Sequence, residues 1–172
     1  MKQASSLWQW LGFGVATLGG TILHFLYDWT GGIWITPFSG VNESTWEHMK
    51  LLYWPLFLFA VVQRLFFRDQ ENFWCVKLWS ILLGLALIPV LFYTCNGAIG
   101  KSPDWLNIAI FYICAGAVFL FEHWAFRAFS RPCRFSFAAL CLLGGLFVIF
   151  TFAPPRIPLF QDPLTKFYGI GP

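Results

Sequence analysis

The sequence predicts an all-α protein: a polytopic transmembrane bundle of five helical spans, with an interfacial segment over residues 29–42 and an extended C-terminal tail. Three observations predict it. Charged residues make up 11% of the chain and hydrophobic ones 58%, whereas soluble domains carry about 25% charged residues, so a water-facing surface cannot be built. Five apolar stretches stand out: Leu7–Trp29, Leu51–Phe67, Val76–Cys95, Leu106–Phe126 and Phe135–Phe152. A hydrocarbon core takes roughly 20 helical residues to cross; four stretches meet that length, and the second does if its helix begins near Asn42. In lipid the backbone must satisfy its own hydrogen bonds, so such runs become helices.

Taken in order, the elements fall within one membrane domain over residues 1–172. The first span, 7–29, follows Lys2 but runs past the short apolar region of a signal peptide and lacks a small-x-small cleavage site, so it is expected to be retained. Residues 29–42, "WTGGIWITPFSGVN", are too apolar for an ordinary loop and too broken by Gly and Pro for a span. An interfacial or re-entrant segment fits them. Spans two to five are expected at 43–67, 75–96, 105–126 and 135–153, with "RDQENFW" and "RAFSRPCR" as short basic connections on one side. Tryptophans recur near the span ends, as an aromatic belt requires. The tail, 154–172, is proline-rich and cannot continue as helix. Its Ile157, Leu159, Phe160, Phe167 and Tyr168 favour a strap packed over one face rather than a free end.

Lys and Arg near the span ends set orientation. Lys2, Arg64, Arg68, Lys77, Arg127, Arg131 and Arg134 stand on one side, and Lys50, Lys101, Arg156 and Lys166 on the other. That asymmetry places the N-terminus in the cytoplasm and the C-terminus outside a cell membrane. The net charge of +3 is a topology signal, and no nucleic-acid partner is inferred from it. The five cysteines contain no C-x-x-C and no pair that this topology brings together outside, so neither a disulfide framework nor a thiolate metal site is expected.

One polar cluster breaks the apolar pattern. His24 and Asp28, four residues apart, share a helix face near the outer end of span one. Asn42, Glu43, Glu47 and His48 follow at the outer start of span two. Both groups meet the same side, and ionisable groups at a membrane are costly enough to mark a site. Imidazole with carboxylate suits Zn, Mn or Fe. His24, Asp28, Glu43 and His48 are the candidate metal ligands, and Glu47 is the candidate acid/base. On one helix Glu43 and Glu47 are about 40° apart and Glu47 and His48 about 100°, so all three meet a single ion only if the helix starts late or is deformed. Trp46, Tyr93 and Asn96 are candidate supporting residues beside Asn42.

Structural readings stand next to these. Ser44-Thr45-Trp46-Glu47 is a capping box, in which Glu47 would reach back to the Ser44 N–H. His24 and Asp28 could simply hydrogen-bond each other. Gly100 after "YTCN" reads as a helix C-cap. Glu122 and His123, at the opposite end of span four, read as side chains snorkelling to the interface.

The early membrane histidine, "VNESTWEHMK", the small-residue end of span three and "PPRIPLFQDPLTKFYG" resemble an uncharacterised prokaryotic family of small multi-pass membrane proteins. In the pattern it resembles, Pro precedes Val-Asn-Glu and Thr-Gly follows the Asp-Pro; here Gly40 and Lys166 occupy those places. The resemblance implies no activity. It implies that His24, Asn42, Glu43, Trp46, Glu47 and His48 belong to one shared pattern.

Three functional readings follow. One is a metal-dependent enzyme acting on a lipid or other small substrate that reaches the outer leaflet. Another is a small transporter or channel with the cluster as its vestibule, for which a homo-oligomer would have to supply the missing polar path. The last is a structural or assembly subunit.

Overall fold

The computed structural model describes residues 2–100, 102–129 and 133–170, with side chains from residue 6 onward. Five helices carry the described chain: α1 (Lys2–Thr30), α2 (Thr45–Arg64), α3 (Phe73–Ile99), α4 (Asp104–Ala128) and α5 (Ser136–Phe152). Short 3-10 turns occur at Ile33–Ile35 and Pro158–Phe160. No strand forms among the described residues; the tail contributes one isolated antiparallel bridge, Gln161 with Tyr168.

Three helical segments, Ser6–Thr30, Phe73–Ile99 and Asp104–Ala128, are long and apolar enough to cross a membrane. The other two fall short for separate reasons. α5 is apolar but has 17 residues, which at about 1.5 Å each make roughly 25 Å. α2 has 20 residues, but Glu47, Lys50 and Gln63 are among them. It tolerates those groups because it is the central helix, packed against α1, α3, α4 and α5 and against the tail turn. Its Leu52, Tyr53 and Leu56 meet Ile81 and Leu85 of α3, Cys114 and Val118 of α4, and Leu140 and Phe147 of α5 in one buried core. The Tyr53 hydroxyl donates to the Leu140 carbonyl at 2.7 Å. Small residues let the helices approach. A β-carbon at Gly84 would lie 2.4 Å from Val118, and one at Gly20 would lie 2.4 Å from Phe111.

Residues 31–44 form no span. They fold back on the α1–α2 pair: the Gly40 N–H donates to the Leu23 carbonyl at 3.2 Å, and Trp54 Nε1 donates to the Pro37 carbonyl at 2.9 Å. Ile33 and Trp34 remain exposed, as an interfacial segment requires. The tail is a strap anchored by Phe160, while Ile157 and Phe167, expected to pack, remain exposed. Phe160 is buried against Trp46 and Phe150, with ring centroids 4.6 and 5.4 Å away.

Several expectations are corrected here. Lys50 is a topology signal by sequence but is buried within the fold. Its ammonium lies 2.5 Å from Glu47 and donates to the Thr36 carbonyl at 2.8 Å and the Thr151 hydroxyl at 3.0 Å. It thereby ties the 31–44 segment and α5 to α2. Glu122 does not snorkel; it is buried and paired with Lys77 across the α3–α4 contact. Lys77 also lies 5.5 Å from the Phe73 ring centroid. Cys75 and Cys133 are disulfide-bonded, tying the start of α3 to the α4–α5 connection. The sequence does not point to that pair because its charge asymmetry assigns both cysteines to the cytoplasmic side, where disulfides are rare. Gly100, with φ of +80°, ends α3 as expected.

Candidate functional site

The site begins with where α2 starts. Ser44 is the N-cap, in extended conformation, and its hydroxyl accepts from the Glu47 N–H at 3.4 Å. The other half of the expected capping box does not form. The Ser44 N–H donates to Asn42 Oδ1 at 2.8 Å, and Glu47 instead accepts from the Val41 N–H at 3.1 Å. Glu43 therefore lies ahead of the helix, in a bend, free of the helical angles that would point it away from His48. Its carboxylate sits between two imidazoles. Oε1 is 3.6 Å from His24 Nε2 on α1, and Oε2 is 3.6 Å from His48 Nε2 on α2. The two rings are 5.7 Å apart between centroids.

His48 Nδ1 lies 2.9 Å from the Ser44 carbonyl oxygen. A carbonyl only accepts, so Nδ1 carries the hydrogen; this tautomer is assigned from the hydrogen bond. In the neutral ring Nε2 then has a bare lone pair, and it faces a carboxylate oxygen. Two electron-rich atoms held face to face call for positive charge between them, either a proton on Nε2 or a cation. A backbone carbonyl holding the distal ring N–H is also how metal-ligating histidines are oriented.

The other predicted residues have different places. Asp28 is exposed one turn further along α1, and it forms none of the ion pairs found among the described residues. Glu47 points to Lys50 and Val41, and not to the histidines. Asn42 joins the tail, its Nδ2 donating to the Gly169 carbonyl at 2.7 Å. Trp46 is buried against Phe147 and Phe160. The Tyr93 hydroxyl accepts from Thr45 Oγ1 at 3.4 Å. Asn96 closes the end of α3, accepting from the Ser102 N–H at 3.0 Å, and it also lines a cavity.

That cavity has two adjoining lobes of about 460 and 450 Å³. Glu43, His48, Asp104, Asn107, Phe111 and Leu164 line both. His24 lines the second lobe. Asp104, Asn107 and Ser102 were missed by sequence reasoning, since an acid in the first turn of α4 reads as a response to the helix dipole. The tail supplies Pro163, Leu164 and Lys166 as wall. Asp162 fixes that wall, accepting from the Leu164 N–H at 2.7 Å and the Thr165 N–H at 3.3 Å. Burial pushes its carboxyl up, but the N–H groups of Leu164, Thr165 and Glu43 and the Thr165 hydroxyl outweigh that and hold it below the usual value.

Among the described residues no group of three or more His, Cys, Asp and Glu side chains is arranged to hold a metal ion as it stands. His24, Glu43 and His48 have the spacing of ion pairs. Each imidazole faces a different carboxylate oxygen and the ring centroids are 5.7 Å apart, so ligating one ion would require these side chains to rearrange.

No curated protein and no solved structure matches this chain. The model of a family of unknown function, DUF6512, matches residues 1–170, and the chain belongs to that family.

Proposed function

We propose that this protein is a five-span membrane enzyme that holds a divalent cation at His24, Glu43 and His48 and acts on a small substrate reaching it from the bilayer. The observation that carries the reading is the His48 ring. Its Nδ1 is held by the Ser44 carbonyl, and its bare Nε2 faces Glu43, whose other oxygen faces His24. Two imidazoles and a carboxylate suit zinc, manganese or iron. Three protein donors leave a coordination position for water, whose pKa such an ion lowers toward neutrality. Asp104, in the same cavity, takes the acid/base role first assigned to Glu47, because Glu47 is neutralised by Lys50. The orientation with the N-terminus inside and the site outside follows from the Lys and Arg asymmetry.

The carrier reading finds less support. Ile88, Ile110 and Phe111 line the cavity, and the buried Leu52, Leu85 and Val118 belong to the apolar core. The charged pair at the far end, Lys77 with Glu122, is closed on itself.

Thermal unfolding in detergent tests the proposal. A ligand present at 100 times its dissociation constant stabilises the folded state by about 2.7 kcal/mol. Zinc or manganese should raise the midpoint of the wild type and of Asp28→Asn, and leave Glu43→Gln and His48→Ala unmoved. Equal shifts in all four proteins, or none in the wild type, would count against it.

A further inference from the structure

The two lobes share Glu43, His48, Asp104 and Asn107 and differ in their other neighbours. The first lobe lies among Glu43, His48, Asn96, Ser102, Asp104 and Asn107. The second runs between α1 and α4, past Gly20, Thr21, Phe25, Ile108 and Tyr112. Phe25, Ile108 and Tyr112 are all outward-facing, on two helices long and apolar enough to span a bilayer. Such positions meet hydrocarbon, so the second lobe, which also holds His24, opens to lipid, while the first adds Asn96 and Ser102.

The first lobe is rich in acceptors. It carries the carboxylates of Glu43 and Asp104. Asn107 Oδ1 is buried with no hydrogen-bond partner, and so is the hydroxyl of Ser102, a residue 3% exposed. Lys166, which lines this lobe, directs its ammonium to the Pro163 carbonyl at 2.8 Å within the tail. Buried acceptors without partners are costly and call for a donor. An anionic headgroup, whose oxygens only accept, would leave Asn107 Oδ1 without a donor. The Phe111 ring packs directly against Gly20, where a β-carbon would come within 2.4 Å of it, so α1 and α4 meet closely beside the second lobe.

Resting on the reading of this cavity as the substrate site, we infer that the substrate is a neutral amphiphile with one hydrocarbon chain and a hydroxyl-bearing head. The head donates to Asn107 Oδ1 and Ser102 Oγ beside the His24–Glu43–His48 group, and the chain leaves between α1 and α4. Asn107 is the residue that selects the head, and Ile108 flanks the path of the chain.

Photolabelling of the full-length protein in detergent micelles tests this. The probe is a 1-monoacylglycerol with a diazirine in its acyl chain. Labels should concentrate on residues 20–25 and 108–112, and unlabelled monoacylglycerol should displace them better than lysophosphatidic acid of the same chain length. Asn107→Leu should weaken labelling by about fivefold or more, the effect of losing one hydrogen bond to a buried group. Ile108→Trp, at an exposed position, should block it with the unfolding midpoint unchanged. Labels spread evenly over α3 and α5, or equal displacement by the two competitors, would overturn the inference. Metal content measured on the same samples separates the two ideas: site-selective labelling without metal would leave the amphiphile standing and remove the cation.

Discussion

Glu43 owes its position to a single residue of helix register. Because α2 begins at Thr45, the carboxylate lies in the bend and swings between His24 and His48. That was legible in part: His24, Glu43 and His48 come together as the sequence predicts, and the late helix start is the condition its angles set. Asp28 and Glu47 do not join them. Charge type and spacing cannot tell a ligand from the partner of a buried lysine, and Lys50 stands three residues from Glu47. At the same scale Lys166 is the one non-glycine with positive φ among the described residues, at +64°. A side chain in that region costs roughly 1–2 kcal/mol relative to glycine, offset in part by the extra freedom glycine has when unfolded. Lys166→Gly should therefore raise the unfolding midpoint in detergent slightly; a clear fall would mean that the lysine side chain matters more than the strain.

At the scale of elements, α2 is held to its neighbours by polar as well as apolar contacts. The Glu47–Lys50 pair is almost wholly buried, and removing one partner leaves a buried charge unmatched, at a cost of about 3–5 kcal/mol. Lys50→Met should destabilise strongly, and Glu47→Gln with Lys50→Met should recover part of the loss, both read as unfolding midpoints. The tail depends on pH through Asp162. Its carboxyl is held below the usual value in the folded protein, so its contribution is complete above the unfolded value of about 3.9 and is lost as pH falls through the folded one. Hydrogen exchange at Leu164 and Thr165 should be slow at pH 7 and should lose protection, relative to the helices, on acidification below about pH 4. The sequence pointed to the strap through its exposed-if-free aromatics. The Asp162 turn escaped it, because one acid beside a proline does not reveal which N–H groups it will accept from.

The whole molecule was readable where composition decides it, as a helical membrane protein, and less so where partners decide it. Lys50, Lys77 and Glu122 were taken for surface charges because only the packed fold brings them into pairs. The cysteine pair bears on orientation. Cys75 and Cys133 lie at the basic end of the bundle, and disulfides are rare in a reducing cytosol. The structure pairs them, whereas the proposed orientation puts that end in a reducing compartment; alkylation of growing cells followed by a gel-shift reagent decides between the two, with free thiols upholding the orientation and a disulfide reversing it. The cation site itself is tested most directly by plasma mass spectrometry on protein purified without chelators, comparing wild type with Glu43→Gln, His48→Ala and Asp28→Asn. The account predicts near-stoichiometric zinc, manganese or iron in the wild type and Asp28→Asn and its loss in the other two. A wild type without metal, or metal retained in His48→Ala and Glu43→Gln, would contradict it.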